Sequence, residues 1–236
     1  MQRPGQSGQV PHMIALVDGL GLQACTHAIG DAGIRRVIDA CENAEKINGR
    51  RDSRHRLEHC EFPEASDRER MARLGIYAAM HPTHFYGDET IEKTVGSERL
   101  QRFMPWRSLE KAGVNLSFGS DWCNSPFNPI YGLLVSSLRL NYHHNDDWGP
   151  EEGISLEDGI RNWTIGSARA LFMDREIGSI EVGKRADLVL FDTDLTAIDS
   201  WWFLFTHNLE LGKLDGFVLM TMVDGRMVYQ KPGEDL

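Results

Sequence analysis

The segment Thr26-His27-Ala28-Ile29-Gly30-Asp31 decides the fold that we expect for this chain of 236 residues. A short apolar run over residues 22–26 precedes it. Helical spacing of apolar side chains follows it, at Ile34, Val37, Ile38 and Cys41. His27 therefore stands where a strand ends and a helix begins. In (β/α) barrels the loops at the carboxyl ends of the strands converge on one mouth, which carries the chemistry.

Two later segments repeat this arrangement. Arg56-Leu57-Glu58-His59 ends a second apolar-alternating run, and Phe118-Gly119-Ser120-Asp121 ends a third. Two imidazoles and one carboxylate at three strand ends predict a metal site made of His27, His59 and Asp121. Simpler interpretations exist for each residue. His27 could be a histidine that caps or packs at the start of a helix, and Asp121 could be an N-cap or an ordinary loop residue.

The apolar pattern predicts strands that alternate with helices. Strands are expected over about 22–26, 56–60, 76–80 and 114–118, and helices over about 13–20, 32–45 and 63–74. Pro63 suits a first helical position, and Gly75 suits the position just past a helix end. This alternation predicts an α/β fold of parallel βα units, and four such strands make half of an eight-stranded barrel with two open edges.

The pattern changes near Asp174. Residues 186–191 form an apolar strand, and residues 218–223 and 226–229 flank Asp224-Gly225, a strong hairpin signal. We therefore expect a partial barrel over residues 1–173 and a β-structured segment over residues 174–236. Within these, His143-His144 is expected in a solvated loop, and Trp201-Trp202-Phe203 is expected to pack against the barrel.

Composition narrows the choice of partner and compartment. The formal net charge is −10, with 25 basic and 35 acidic residues. No basic cluster occurs, so we expect neither nucleic acid nor an anionic membrane as a partner, and no stretch looks like a transmembrane span. The four cysteines form no CxxC pair, which predicts reduced, buried thiols in a cytoplasmic enzyme. Three of them, Cys25, Cys60 and Cys123, could line the metal site.

Five motifs in order resemble the amidohydrolase superfamily. They are residues 26–32, Arg56-Leu57-Glu58-His59, residues 118–122, Thr164-Ile165-Gly166 and residues 178–189. The resemblance runs from about Ile14 to Tyr229. It is closest to the branch that includes the YtcJ-like proteins and N-substituted formamide deformylase.

This resemblance implies a metal-dependent hydrolase with a (β/α)8 TIM barrel and one or two divalent metals, zinc expected, at its mouth. It also implies a small composite β-sandwich built from both chain ends. His27 and His59 would be the metal ligands after strands five and six. Asp121, after strand eight, would bind metal and shuttle a proton. The implied reaction is hydrolysis of a non-peptide, amide-type C–N bond in a small molecule by a metal-activated water.

The sequence departs from the family in one feature. The family's first strand ends in a His-x-His pair, and this sequence contains none. We therefore expect the C-terminal half of the barrel plus the C-terminal part of the sandwich, with low or no activity alone. Its partner would be a complementing N-terminal half or a second copy in a homo-oligomer. The alternative is a non-catalytic fragment or assembly module that keeps part of the metal site.

Three further side-chain roles are expected near the site. His84 closes the segment His81-Pro82-Thr83-His84 and either orients substrate or is a plain loop residue. Trp122 either flanks the substrate or packs in its loop. Arg56 and Glu58 are expected to pair between the strand and helix layers, because Glu58 alternates with His59 along the strand.

Overall fold

The computed structural model describes residues 9–85, 89–125, 127–139, 148–197 and 218–233. His143-His144 and Trp201-Trp202-Phe203 lie outside these residues, so the two expectations about them are not addressed. In the described ranges, no helix combines the length and apolar character that crossing a membrane requires.

Four short strands form a parallel sheet in sequential order. They are β1 Cys25–Ala28, β2 Arg56–His59, β3 Tyr77–Met80 and β4 Asn115–Phe118. Ala28 is registered with His59, and Met80 is registered with Phe118, so the carboxyl ends of neighbouring strands line up. The predicted parallel βα units are therefore present. The first strand lies later than the apolar run suggested, and it includes His27.

Nine α-helices of the described residues lie before, between and after these strands. They are α1 Gln9–Gly19, α2 Asp31–Asn48, α3 Ala65–Leu74, α4 Glu89–Val95, α5 Ser97–Leu100, α6 Trp106–Lys111, α7 Pro129–Leu138, α8 Leu156–Arg161 and α9 Ser167–Ala170. Short 3-10 turns cover Pro82–His84, Pro150–Glu152 and Leu195–Ala197, and a π turn at Asn162–Gly166 joins α8 to α9.

The ends of α3 test the two predicted boundary signals. Gly75 closes the helix with a left-handed φ of 67°, as expected for a residue just past a helix end. Pro63 is not the first helical residue, because Glu64 is the N-cap and α3 begins at Ala65. The proline thus belongs to the connection that leads from β2 into the helix.

One face of the sheet packs on the helices and forms the core. Leu57 of β2 is fully buried in the same apolar cluster as Ile34 and Ile38 of α2. Strand alternation then puts Arg56 and Glu58 on the opposite face. The two side chains do pair, with Arg56 Nε 2.8 Å from Glu58 Oε1. The predicted location between strand and helix layers is wrong, since position 57 is the one that faces the helices.

The connection after β3 contains buried aromatic side chains. Phe85, Phe103 and Trp106 are fully buried and stack around one another. They enclose the guanidinium of Arg139, which lies 4.4 Å from the Phe85 ring centre and 4.8 Å from that of Trp106. The buried aromatic side chains attach this connection firmly to the end of α7.

The second sheet is antiparallel, in the order β5 Leu188–Phe191, β6 Val218–Val223 and β7 Arg226–Gln230. Asp224 and Gly225 take φ values of 51° and 75°, which confirms the predicted hairpin turn. Phe191 packs against an apolar cluster on α7 and α8. Near the expected domain boundary, Arg54 Nη1 lies 2.7 Å from Asp174 Oδ1, and the division itself stays a prediction.

Candidate metal centre

Three neighbouring strands deliver imidazole and carboxylate groups to one edge of the sheet. His59 ends β2, His84 ends the 3-10 turn after β3, and Asp121 lies three residues beyond β4. One donor atom from each lies within 4.8 Å of a donor atom from both others. His84 Nε2 is 3.3 Å from Asp121 Oδ2. Three donors this close are arranged as one cation would require.

His27 lies beside this set rather than in it. Its ring meets the edge of the His59 ring, with centroids 4.3 Å apart and planes at 66°. The side chain is exposed on β1, the edge strand of the sheet. Of the three predicted ligands, the structure thus groups His59 with Asp121. The third grouped donor is His84 rather than His27.

The backbone at two of these residues adopts the left-handed region. The φ angle is 74° at His59, 50° at the following Cys60, and 54° at Asp121. Residues other than glycine adopt this conformation at a cost of order 1–3 kcal/mol, and such residues cluster at functional sites. At His59 the positive φ also ends the regular strand alternation, so its ring turns towards His27 and His84.

Hydroxyl groups connect the turn after β3 to the loop after β4. Thr83 Oγ1 donates to the carbonyl oxygen of Ser120 at 3.1 Å and lies 2.6 Å from Ser125 Oγ. Ser125 Oγ also donates to the Ser120 carbonyl. Beside them, Asn124 Nδ2 donates to Asp121 Oδ2 at 3.1 Å. These contacts fix His84 and Asp121 relative to each other.

The protonation states suit cation binding. Burial, with His27 alongside, lowers the pKa of His59, and burial lowers the pKa of His81 to about 4. Burial tends to raise the pKa of Asp121, but the Asn124 amide and the neighbouring histidines outweigh it and lower the pKa. These shifts favour the neutral imidazole of His59 and the ionised carboxylate of Asp121, which are the forms that bind metal.

The donor set fits a divalent metal of the zinc type. Neutral imidazole nitrogen and carboxylate oxygen are ligands that zinc accepts, and three protein donors leave a position open. In the described part of the chain, His59 Nδ1 is buried without a hydrogen-bond partner. A buried polar atom of this kind is uncommon and is typical of a functional site.

Two residues of the cluster were missed by sequence reasoning. The half-buried His81 ring lies 4.8 Å from that of His59 and 5.4 Å from that of His84. Glu61 is 8 % exposed, and its carboxylate faces His59 and His84. A signal was available for His81, because Pro82 can open a 3-10 turn and side chains at i and i+3 of such a turn eclipse.

Trp122 and the cysteines are not among the three grouped donor residues. The Trp122 side chain is 69 % exposed and meets Phe127 edge-on, with ring centroids 6.1 Å apart. All four cysteines are free. Cys41 and Cys60 are buried, which raises the pKa of each thiol to about 12. The expectation of four buried thiols is wrong for Cys25 and Cys123, which are exposed.

Known proteins share both the sequence pattern and the fold. Protein LONG AFTER FAR-RED 3 of Arabidopsis thaliana is 33% identical over 214 residues, covering 90% of this chain and 35% of the plant protein. Putative amidohydrolase YtcJ of Bacillus subtilis (strain 168) is 29% identical, covering 89% and 38% of the respective chains. N-substituted formamide deformylase of Arthrobacter pascens is 32% identical, covering 91% and 38%.

A solved structure extends the likeness to the backbone. An uncharacterized metal-dependent hydrolase from Pyrococcus furiosus superposes with a TM-score of 0.66 at 25% identity, over 78% of this chain and 36% of that one. The chain thus spans between a third and two fifths of the length of the relatives that it matches. Residues 1–229 match the amidohydrolase family model. With nearly the whole chain matched, this protein belongs to the amidohydrolase family.

Proposed function

We propose that this chain carries the metal-binding part of a hydrolase that acts on an amide-type C–N bond of a small molecule. One observation carries the proposal: donor atoms of His59, His84 and Asp121 lie within 4.8 Å of one another at adjacent strand ends. The names of the relatives support the reaction class, since one is a deformylase of N-substituted formamides. A solved relative described as metal-dependent supports the cation.

His59, His84 and Asp121 would hold one divalent cation, with zinc expected. His27, in edge contact with His59, stays a candidate fourth ligand. A bound cation would supply Lewis-acid chemistry, polarising a carbonyl and lowering the pKa of water towards ~7.

Asp121 is proposed as the proton shuttle. Its lowered pKa keeps the carboxylate ionised, so Asp121 can accept a proton from the attacking water. The same oxygen could then give that proton to the nitrogen of the leaving amine as the C–N bond breaks. His84 Nε2, 3.3 Å from Asp121 Oδ2, would bind the cation beside that carboxylate. Trp122, exposed beside this loop, stays a proposed contact for the substrate.

The parallel sheet has two edge strands, β1 and β4. In the sheet that the structure describes, β1 pairs only with β2 and β4 pairs only with β3. We propose that these two edges receive further strands, from a complementing N-terminal half or from a second copy, in a (β/α)8 barrel with a composite β-sandwich. The four free thiols fit a reducing compartment such as the cytoplasm.

A non-catalytic assembly module is the second candidate. The exposed face of the second sheet favours it, since Val189 is 49 % and Val228 60 % exposed. Such a module would bind a partner through these apolar strands and the open sheet edges while keeping the cation.

Metal content and amide hydrolysis separate the two candidates. The purified chain should take up one Zn²⁺ or Co²⁺, and His59→Ala should abolish uptake. His12→Ala is the matched control, because His12 lies exposed on α1. Hydrolysis of N-substituted formamides that disappears in His59→Ala supports the enzyme. Metal uptake without any hydrolysis, also after addition of an N-terminal half, supports the module. A wild-type chain that takes up no metal contradicts both.

A further inference from the structure

The His84 ring stands between two carboxylates. Its Nε2 atom is 3.3 Å from Asp121 Oδ2, while its Nδ1 atom is 3.8 Å from Glu61 Oε1. The two nitrogens of an imidazole differ in role, and a hydrogen bond at one decides which lone pair is available at the other. Glu61 therefore faces the nitrogen of His84 that points away from the proposed cation.

The same oxygen of Glu61 faces a second ring. His59 Nδ1 is 3.9 Å from Glu61 Oε1 and is buried without a hydrogen-bond partner in the described chain. A buried ring N–H requires an acceptor, and a buried carboxylate requires donors. Both distances exceed a direct hydrogen bond, and contacts of this kind at an unfilled site often tighten when the site is filled.

The backbone of Glu61 is anchored on the far side. The amide of Met104 donates to the Glu61 carbonyl at 2.7 Å, and the Met104 carbonyl accepts from Arg139 Nη1 at 2.7 Å. Arg139 is 2 % exposed and lies against the Phe85 and Trp106 rings. A carboxylate on so fixed a piece of chain can hold the orientation of the rings that it contacts.

We propose that Glu61 is a positioning residue that keeps His59 in the Nδ1–H form, with its Nε2 lone pair available, and that holds the His84 ring in its orientation. Carboxylates in this role are general partners of metal-binding histidines. The consequence for metal affinity rests on the proposed metal centre, whereas the tautomer preference is a property of the chain alone.

The first test needs no metal. Nitrogen-15 NMR of the ring atoms at about pH 8, above the ~6.5 reference pKa of histidine, reports the tautomer of each neutral imidazole. The wild-type chain should show Nδ1–H for His59, and Glu61→Gln should shift His59 towards Nε2–H. Glu64→Gln is the matched control, because Glu64 lies three residues on and pairs with Arg102 instead. An unchanged His59 tautomer in Glu61→Gln overturns the proposal.

The second test uses Co²⁺ as the probe. Glu61→Gln should weaken Co²⁺ binding by about 10–100-fold with an unchanged visible spectrum, and Glu61→Asp should recover part of the affinity. A changed spectrum at saturation would make Glu61 a ligand and overturn the positioning role, as would wild-type affinity. If the wild-type chain binds no Co²⁺, the proposed metal centre is wrong, and the His59 tautomer alone decides whether Glu61 is a positioning residue. Circular dichroism confirms that each variant is folded.

Discussion

Two clusters of polar side chains lie at opposite ends of β2, each around a buried histidine. The two histidines, His55 and His59, are only four residues apart. At the carboxyl end, His59 has a left-handed backbone and a buried nitrogen that finds no hydrogen-bond partner among the residues that the structure describes. At the amino end, His55 is equally buried and fully bonded. Its Nδ1 accepts from the Ala24 amide at 3.1 Å, and its Nε2 lies 3.2 Å from Asp18 Oδ1.

The amino-end cluster is complete without any ligand. Asp18 also accepts from Arg51 Nε at 2.7 Å and from Asn48 Nδ2 at 2.8 Å. It joins α1, α2 and the start of β2, where a structural role is sufficient. The comparison teaches that a buried histidine whose two nitrogens are both bonded within the protein needs no functional explanation. Removing the amino-end cluster should cost stability, and removing the carboxyl-end cluster should cost metal affinity.

The largest effect is expected for Asp18→Ala. It leaves Arg51 and the buried His55 without their carboxylate, and breaking a buried charged pair costs about 3–5 kcal/mol. Urea unfolding should show this loss, whereas Asp39→Ala, at an exposed position on α2, should change little. A loss below about 1 kcal/mol would contradict the structural role of the amino-end cluster.

Next in size is the effect of His59→Ala on metal binding. We expect Co²⁺ affinity to fall at least ~100-fold, which is roughly 2.8 kcal/mol at 1.4 kcal/mol per tenfold. The free energy of unfolding without metal should change by less than the Asp18→Ala loss. Calorimetric titration and urea unfolding of the same variant check both parts. Intact affinity would remove the distinction between the two ends.

The third prediction concerns how the free energy of unfolding changes with pH through His55. Burial lowers the pKa of His55 in the folded chain, so the folded state binds its proton less readily than the unfolded state. Its stabilising contribution is therefore full above the unfolded pKa of ~6.5 and is lost as pH falls below that value. The loss has a limiting slope of about 1.4 kcal/mol per pH unit. Unfolding curves between pH 8 and pH 5 should show it, and His55→Gln should flatten it.

The smallest expected effect concerns the backbone conformation at His59 and at His55. At His59, with φ of 74°, glycine relieves strain, so His59→Gly should be more stable than His59→Ala by about 1 kcal/mol. His55 is not among the residues with positive φ. There the order should reverse, with His55→Gly less stable than His55→Ala by about 0.5–1 kcal/mol. The same order at both positions would show that the strain at His59 is absent in solution.

Local sequence patterns predicted a large part of this fold. Periodicity located the four strands to within a few residues, and Asp224-Gly225 located the hairpin, because both signals depend on neighbouring residues alone. The pattern failed at Pro63, where the chain forms a connection before α3 begins. It also gave no sign of the buried Phe85 and Phe103, because their burial depends on distant partners such as Arg139. It also misplaced the Arg56–Glu58 pair, since alternation counted back from His59 assumes a regular strand.

By itself, the sequence determined the family, the parallel order of the βα units and two members of the candidate site, His59 and Asp121. These follow from motifs at strand ends, and parallel strands bring their carboxyl ends to one edge. Only the tertiary structure decided that His84 is the third donor of the candidate site and that His27 lies beside the site. It also decided that Glu61 faces the rings of His59 and His84. The physical reason is that strand register, a left-handed residue and a 3-10 turn orient side chains in three dimensions, and none of these leaves a periodic mark in the chain.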